Sequence, residues 1–211
     1  MSIDAILVPA GAEYQAVCRG LRQSNSPQVQ VFPIPVGIEP LSEYLAKYEL
    51  PDSVVLMGLC GSLSTQHAPG DVVIYLECVS EGKSKKCDRF LTTQLQEKLG
   101  GELVRGLTSD RLIWSATEKR QLGELYAAQV VDMEGVVALE KLSRVGMLRV
   151  VSDDCFGDIP DLTPAIGKDG SLLPLPLMIN MLRKPVAATR LVWGSLKGLK
   201  SLAEVTKKIF E

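Results

Sequence analysis

The 211-residue chain is long enough for one α/β domain with a sizeable core and too short for two comfortable ones. A net charge of −2 argues against nucleic acid as the main partner. Five cysteines, Cys18, Cys60, Cys78, Cys87 and Cys155, are odd in number and form no Cys-x-x-Cys, which argues against a disulfide framework or zinc site and suits reduced thiols in a cytoplasmic protein.

Apolar runs alternate with helix-like stretches along the chain, which predicts an α/β domain. Ile3–Pro9 reads as a buried strand, followed by a helix over Ala12–Leu21 with one apolar face. Val29–Val36 reads as a strand and Leu41–Tyr48 as a short helix. Ser53–Met57 is a very apolar strand that ends in Gly58. The Pro69-Gly70 turn leads into a strand over Asp71–Leu76. Thr92–Leu99 and Ala116–Tyr126 read as helices. Gln129–Met133 is a strand that runs straight into a helix over Glu134–Ser143, and Met147–Ser152 is a further strand. From Phe156 to Pro176 the chain is rich in Gly, Pro and Asp and reads as a long loop, the kind of segment that serves as a lid. Val186–Ile209 reads as a terminal helix. The N-terminus lacks the basic-then-apolar layout of a signal peptide, and no apolar run reaches the roughly 18 residues of a membrane span.

Three motifs sit at strand ends, where open α/β sheets bind their ligands. The first is Gly58-Leu59-Cys60-Gly61-Ser62, whose glycines would let backbone amides approach a ligand and which also reads as a tight turn. The second is Asp132-Met133-Glu134-Gly135. Its Glu134 could accept hydrogen bonds from a diol or simply complement a helix dipole. The third is Arg149 followed by Ser152-Asp153-Asp154, a strand end that is either a site or a solvated ion pair.

In this order and spacing, the motifs resemble the purine/uridine phosphorylase and methylthioadenosine/S-adenosylhomocysteine nucleosidase superfamily over about residues 3–158. Val131–Glu134, Ser152–Asp154 with Ile159-Pro160, and Leu182–Pro185 are further similar to its hopanoid-biosynthesis-associated phosphorylase subgroup. The resemblance implies a single-domain three-layer α/β/α sandwich over residues 1–211, with a central mixed, partly barrel-like sheet and a lid loop and basic helix from about residue 156. It implies cleavage of the ribose–base bond of a small purine nucleoside, by hydrolysis or phosphorolysis, in a homo-oligomer. Asp153 is then the general acid toward N7 of the base, with Arg149 orienting it, and Glu13 positions water. Met133 and Glu134 hold the ribose, while Leu112, Ile113 and Ser152 contact the base. Gly58, Cys60 and Gly61 form a phosphate or water loop. Asp153 must carry a proton to act, and Asp154 and Glu134 are the negative neighbours expected to favour that.

Two positions depart from the family pattern. Leu59 stands where many relatives carry a Ser that contacts phosphate or water, so inorganic phosphate is an optional co-substrate only. Leu112 stands where nucleosidases have an aromatic residue over the base, a gap that Trp114 could fill. No cofactor or metal is expected. The single histidine, His67, reads as a surface loop residue, and Cys60 reads as packing. A nucleoside-binding or sensor protein that kept the fold and lost turnover is the competing reading, favoured by Leu59 and Leu112. A generic dinucleotide-binding protein fails, because Ala10-Gly11-Ala12 stands where G-x-G-x-x-G belongs. From Met181 to Glu211 seven Lys/Arg face two Glu, a +5 tail on a body that carries −7. That tail reads as a helix with one packed and one solvated basic face, or as a peripheral contact for an anionic membrane.

Overall fold

The computed structural model describes residues 3–25, 29–163, 167, 178 and 181–211. Its strands are β1 (Ala5–Pro9), β2 (Gln30–Ile34), β3 (Ser53–Ser62), β4 (Val72–Ser80), β5 (Lys83–Lys86), β6 (Glu102–Thr108), β7 (Val130–Asp132) and β8 (Arg144–Asp153). The longer helices among these residues are α1 (Ala12–Arg22), α2 (Ile38–Lys47), α3 (Arg89–Leu99), α4 (Ala116–Tyr126), α5 (Gly135–Lys141) and α6 (Pro185–Phe210).

All eight strands join one mixed sheet that closes on itself. β3 pairs with β8 in parallel and with β7 antiparallel. β7 continues to β6 and β6 to β4, both in parallel, and β4 returns antiparallel to β8. β1 and β2 extend the sheet from β3, and β5 is a hairpin edge on β4. The closed ring is the partly barrel-like sheet that the resemblance implied.

Alternation along the strands divides the core into two faces. Val54 and Leu56 of β3 pack with Leu41 of α2 and Val136 to Ala138 of α5. Val55 and Met57 face the other way, onto Ala16, Val17 and Leu21 of α1, Leu91 and Leu95 of α3, and Leu202 and Val205 of α6. Each fully buried aliphatic side chain of this kind contributes about 1.5–3 kcal/mol. Helix α1 seats closely on α6, because a Cβ at Gly20 would collide with the Ala203 carbonyl oxygen.

Some element boundaries differ from the sequence reading. β3 does not stop at Gly58 but runs on to Ser62, so the glycines belong to a strand held by β8 on one side and β7 on the other. β5 and β6 had no counterpart in the sequence reading. β5 is an exposed Lys-Ser-Lys-Lys edge with no hydrophobic pattern, and β6 is interrupted by Arg105 and Gly106. His67 is buried rather than exposed, with Nδ1 3.8 Å from a Glu102 carboxylate oxygen. Of the expected lid, residues 156–163 are anchored to the entrance of α4. There the Ile159 amide donates to the Trp114 carbonyl (3.0 Å), and the Ala116 amide donates to Asp158 (2.9 Å). The rest of the lid lies mostly outside the described residues. The second half of α6 is packed on the body, while Val186, Trp193 and Leu196 in its first half are exposed. No helix among the described residues is long and apolar enough to cross a membrane.

Candidate active site

A cavity of about 220 Å³ opens at the ends of β1, β3, β7 and β8. Glu13, Asp132, Glu134 and Asp153 all line it, with Ser152 as a further polar group. Its apolar walls include Leu59, Leu112, Met133, Ile159, Leu162 and Leu191. Four carboxyl groups on one small apolar cavity is a costly arrangement unless cations or donors hold them. The structure supplies both.

Beneath the cavity, Arg149 of β8 is completely buried. One guanidinium nitrogen donates to Glu134 (3.1 Å) and lies 3.3 Å from Asp132. Another reaches the Met57 carbonyl oxygen at 3.5 Å. Desolvation disfavours its charge, yet Asp132 and Glu134 outweigh that penalty and push its pKa above the usual arginine value. Arg149 therefore stays charged and serves as the counter-ion for the floor of the site.

Glu134 stands at the N-terminal boundary of α5, where β7 gives way to a helix within two residues, and its side chain turns away from the helix start. One of its carboxylate oxygens accepts from the Gly37 amide (3.1 Å) and the other from Arg149. Burial pushes its pKa up, and the Arg149 charge and the Gly37 and Met133 amides oppose that shift. The carboxylate keeps acceptor capacity on its cavity side, which suits hydroxyl donors. Asp132 was quoted in the sequence motif but given no role. Its carboxylate accepts from Thr108 (2.9 Å) and from the Gly135 amide (3.1 Å), so it locks the turn that aims Glu134.

Glu13 stands in the first turn of α1, and one of its oxygens accepts from the Leu59 amide at 2.6 Å. Burial raises its pKa to about 7, against the Leu59 hydrogen bond and the Arg149 charge, which pull it down. Gly58 makes this approach possible. It has φ +151, and a Cβ there would stand 2.5 Å from both Arg149 Nη1 and Glu13 Oε2. Any side chain at 58 would displace one of the two.

Asp153 ends β8, just past a register shift between Cys60 and Gly61 of β3. Ser152 Oγ donates to one of its oxygens at 2.7 Å. The other oxygen is paired with Lys119 of α4, whose side chain is fully buried. The cation on Asp153 is thus Lys119 and not Arg149, whose guanidinium is committed to Glu134 and Asp132. Nor does the Asp154 side chain turn toward Asp153. It accepts from the Phe156 amide (2.9 Å) and faces Arg190 of α6 (3.4 Å).

The remaining predicted positions divide. Met133, Leu112, Ser152, Cys60 and Gly61 line the cavity. Ile113 does not; it is buried against Leu63, Val79 and Leu107 beside a different depression. Trp114 lies under the Lys184 ammonium, 4.7 Å from the ring centre, and is not among the residues that line the cavity. Cys60 is buried, and its thiol is pushed well above the ordinary range by desolvation, with Arg149 opposing, so it is no nucleophile at neutral pH. Among the described residues no group of three or more His, Cys, Asp or Glu is arranged to hold a metal ion. Lys119 was missed by the sequence reading. The available signal was its place on the inward face of α4, between Ala116 and Leu122.

No family model matches the chain, and no curated protein matches it in sequence. Solved structures do match. Futalosine hydrolase of Helicobacter pylori superposes with a TM-score of 0.71 at 14% identity, over 97% of this chain and 95% of that one. The 5′-methylthioadenosine/S-adenosylhomocysteine nucleosidase of Helicobacter pylori gives 0.71 at 12% identity, over 99% and 98%. The 5′-methylthioadenosine nucleosidase of Arabidopsis thaliana gives 0.63 at 18%, over 97% and 91%. The chain therefore has the fold that these nucleosidases and futalosine hydrolase share, as its motifs implied.

Proposed function

We propose that the protein hydrolyses the N-glycosidic bond of a purine nucleoside. The observation that carries this reading is the convergence of Glu13, Glu134 and Asp153 on one small cavity, although they lie far apart in sequence. Similar structures of the Helicobacter pylori nucleosidase hold butyl-thio-DADMe-Immucillin-A or, in a variant, 5′-methylthioadenosine, which supports a nucleoside-type ligand for the same fold.

The reaction divides among the residues as follows. Glu134 accepts the 2′- and 3′-hydroxyls, and Met133 packs against the sugar. As the bond to the base lengthens, positive charge grows on the ribose, and the carboxylates of the cavity stabilise it. Asp153, paired with Lys119 in the free protein, takes up a proton from solvent as the nucleoside binds and passes it to N7, so that the base leaves neutral and the Lys119 pair re-forms. Water adds its oxygen to the sugar carbon, and its proton passes to Glu13. Glu13 ends protonated and Asp153 ionised, and loss of the Glu13 proton to solvent restores the free protein.

Hydrolysis is favoured over phosphorolysis by the backbone around Leu59. The Leu59 amide, which could have met an anion, donates to Glu13 instead, and the following residues are held within β3. A carboxylate at that spot repels phosphate. Incubating the protein with a panel of purine and pyrimidine nucleosides, with and without phosphate, tests the proposal. The expected result is free purine and ribose at equal rates in both conditions. Ribose 1-phosphate formed only with phosphate would overturn the hydrolytic reading, and binding without any base release would favour a sensor.

Glu13 gives a pH signature. It takes the water proton only when ionised, so kcat/KM is expected to rise with a midpoint near pH 7. Glu13→Gln should remove that limb along with most of the activity. The stability linkage runs the other way. Because the folded-state value lies above the ordinary 4.5, the contribution is intact below about pH 4.5 and is lost as pH rises through 7. Glu13→Gln should therefore melt at a higher temperature than the parent at pH 8 but not at pH 4. Equal melting temperatures at pH 8 would contradict the burial of this carboxyl.

A further inference from the structure

Lys119 is a buried cation to which the mechanism above gives no task of its own. Its side chain has no solvent exposure, and among the described residues its ammonium meets two acceptors: the Asp153 carboxylate and, at 3.1 Å, the Asp154 carbonyl oxygen. Taking an ammonium out of water is costly, and the partner that offsets the cost is the one carboxylate aimed at the leaving base. Its place in α4 depends on a well-anchored helix start, where the Asp158 carboxylate accepts from the Ala116 amide at 2.9 Å. Together, Lys119 on one oxygen and Ser152 on the other leave the Asp153 carboxyl little rotational freedom.

We infer that Lys119 is the positioning residue of Asp153: it holds the carboxyl toward the cavity and stabilises the carboxylate that remains once the proton has passed to the base. This rests on the nucleosidase reading. When Asp153 protonates N7, a buried anion is created, and an ammonium already in contact with it needs no reorganisation. The contribution is specific to leaving groups that need a proton. A base such as adenine needs one, whereas 4-nitrophenolate departs as an anion.

The test compares adenosine with 4-nitrophenyl riboside in the wild type, Lys119→Met and Lys119→Arg. Lys119→Met is expected to lower kcat on adenosine about 100-fold with KM little changed, and to cost the nitrophenyl substrate less than about 5-fold. Lys119→Arg should recover at least about a tenth of the adenosine rate. Equal losses on both substrates, or none, would overturn the inference. Should Lys119→Met fail to fold, Asp153→Asn and the double variant Lys119→Met with Asp153→Asn remain, and the double variant leaves no unpaired charge. If Lys119 acts through Asp153, the double variant turns over adenosine no more slowly than Asp153→Asn alone; a further loss counts against the inference. A wild type that cleaves neither substrate would overturn the nucleosidase reading separately. Lys119 is then judged by calorimetric binding of adenine, which Lys119→Met should weaken about 10-fold through the loosened Asp153 carboxyl. Unchanged affinity, or a wild type that binds no adenine, would overturn the positioning role.

Discussion

Asp153→Asn is expected to lower kcat for purine release by about 100- to 10,000-fold while leaving nucleoside affinity within a few-fold. Asn preserves the shape of the side chain and can still accept from Ser152 through its carbonyl oxygen, so the cavity keeps its outline. What it cannot do is transfer a proton to N7. The substitution also leaves the Lys119 ammonium buried beside a neutral amide, which should reduce stability as well. Single-turnover rates and equilibrium binding therefore need to be measured on the folded fraction. Near-parental turnover would remove Asp153 from the chemistry and, with it, the principal assignment made for the cavity.

The second large effect belongs to Arg149. Replacing it with Met keeps most of the volume but strands Glu134 and Asp132, both buried, without their cation. Breaking a buried pair in this way costs about 3–5 kcal/mol, a large share of the stability of a domain this size. Urea unfolding at pH 7 should show the loss. Part of it should return on acidification, because Glu134, whose pKa burial already pushes upward, then accepts a proton and no longer needs the guanidinium. A variant as stable as the parent at pH 7 would mean that the carboxylates find another donor. Catalysis should fall with stability, since Glu134 would lose one of the two partners that aim it at the sugar.

These two residues also mark how far the sequence could be read. Arg149 lies inside the apolar run of β8, and Glu134 and Asp153 sit at strand ends; in each setting a charge is conspicuous, and all three lie in or directly beneath one cavity. Their pairing was not legible. Arg149 and Asp153 lie four residues apart on one strand, roughly 13 Å by strand rise, which allows at most an indirect pairing, and the guanidinium is drawn to β7 and the start of α5 by two acids. The strand end is left to a lysine from α4. Contacts across the fold of this kind depend on side-chain reach, which sequence spacing does not encode. The glycines at 58 and 61 carried a different ambiguity. In isolation they look like the end of a strand, and only the pairing of β3 with partners on both sides keeps the chain extended through them. The β5 hairpin gave no hydrophobic signal. Its turn is formed by Glu81 and Gly82, both at positive φ, with Glu in place of the Asn or Asp that usually marks such a turn.

The tight seating of α1 against α6 has a consequence for the chemistry some distance off. Gly20 and Glu13 are seven residues apart on one stiff rod, about two helical turns. A methyl group at position 20 would wedge that rod away from the final helix and lever its other end. The displaced end bears Glu13, the carboxyl proposed to take the water proton, and its short hydrogen bond from the Leu59 amide leaves little slack. On the proposed mechanism, the seam between the first and last helices therefore helps set the reaction geometry without contributing a reacting atom.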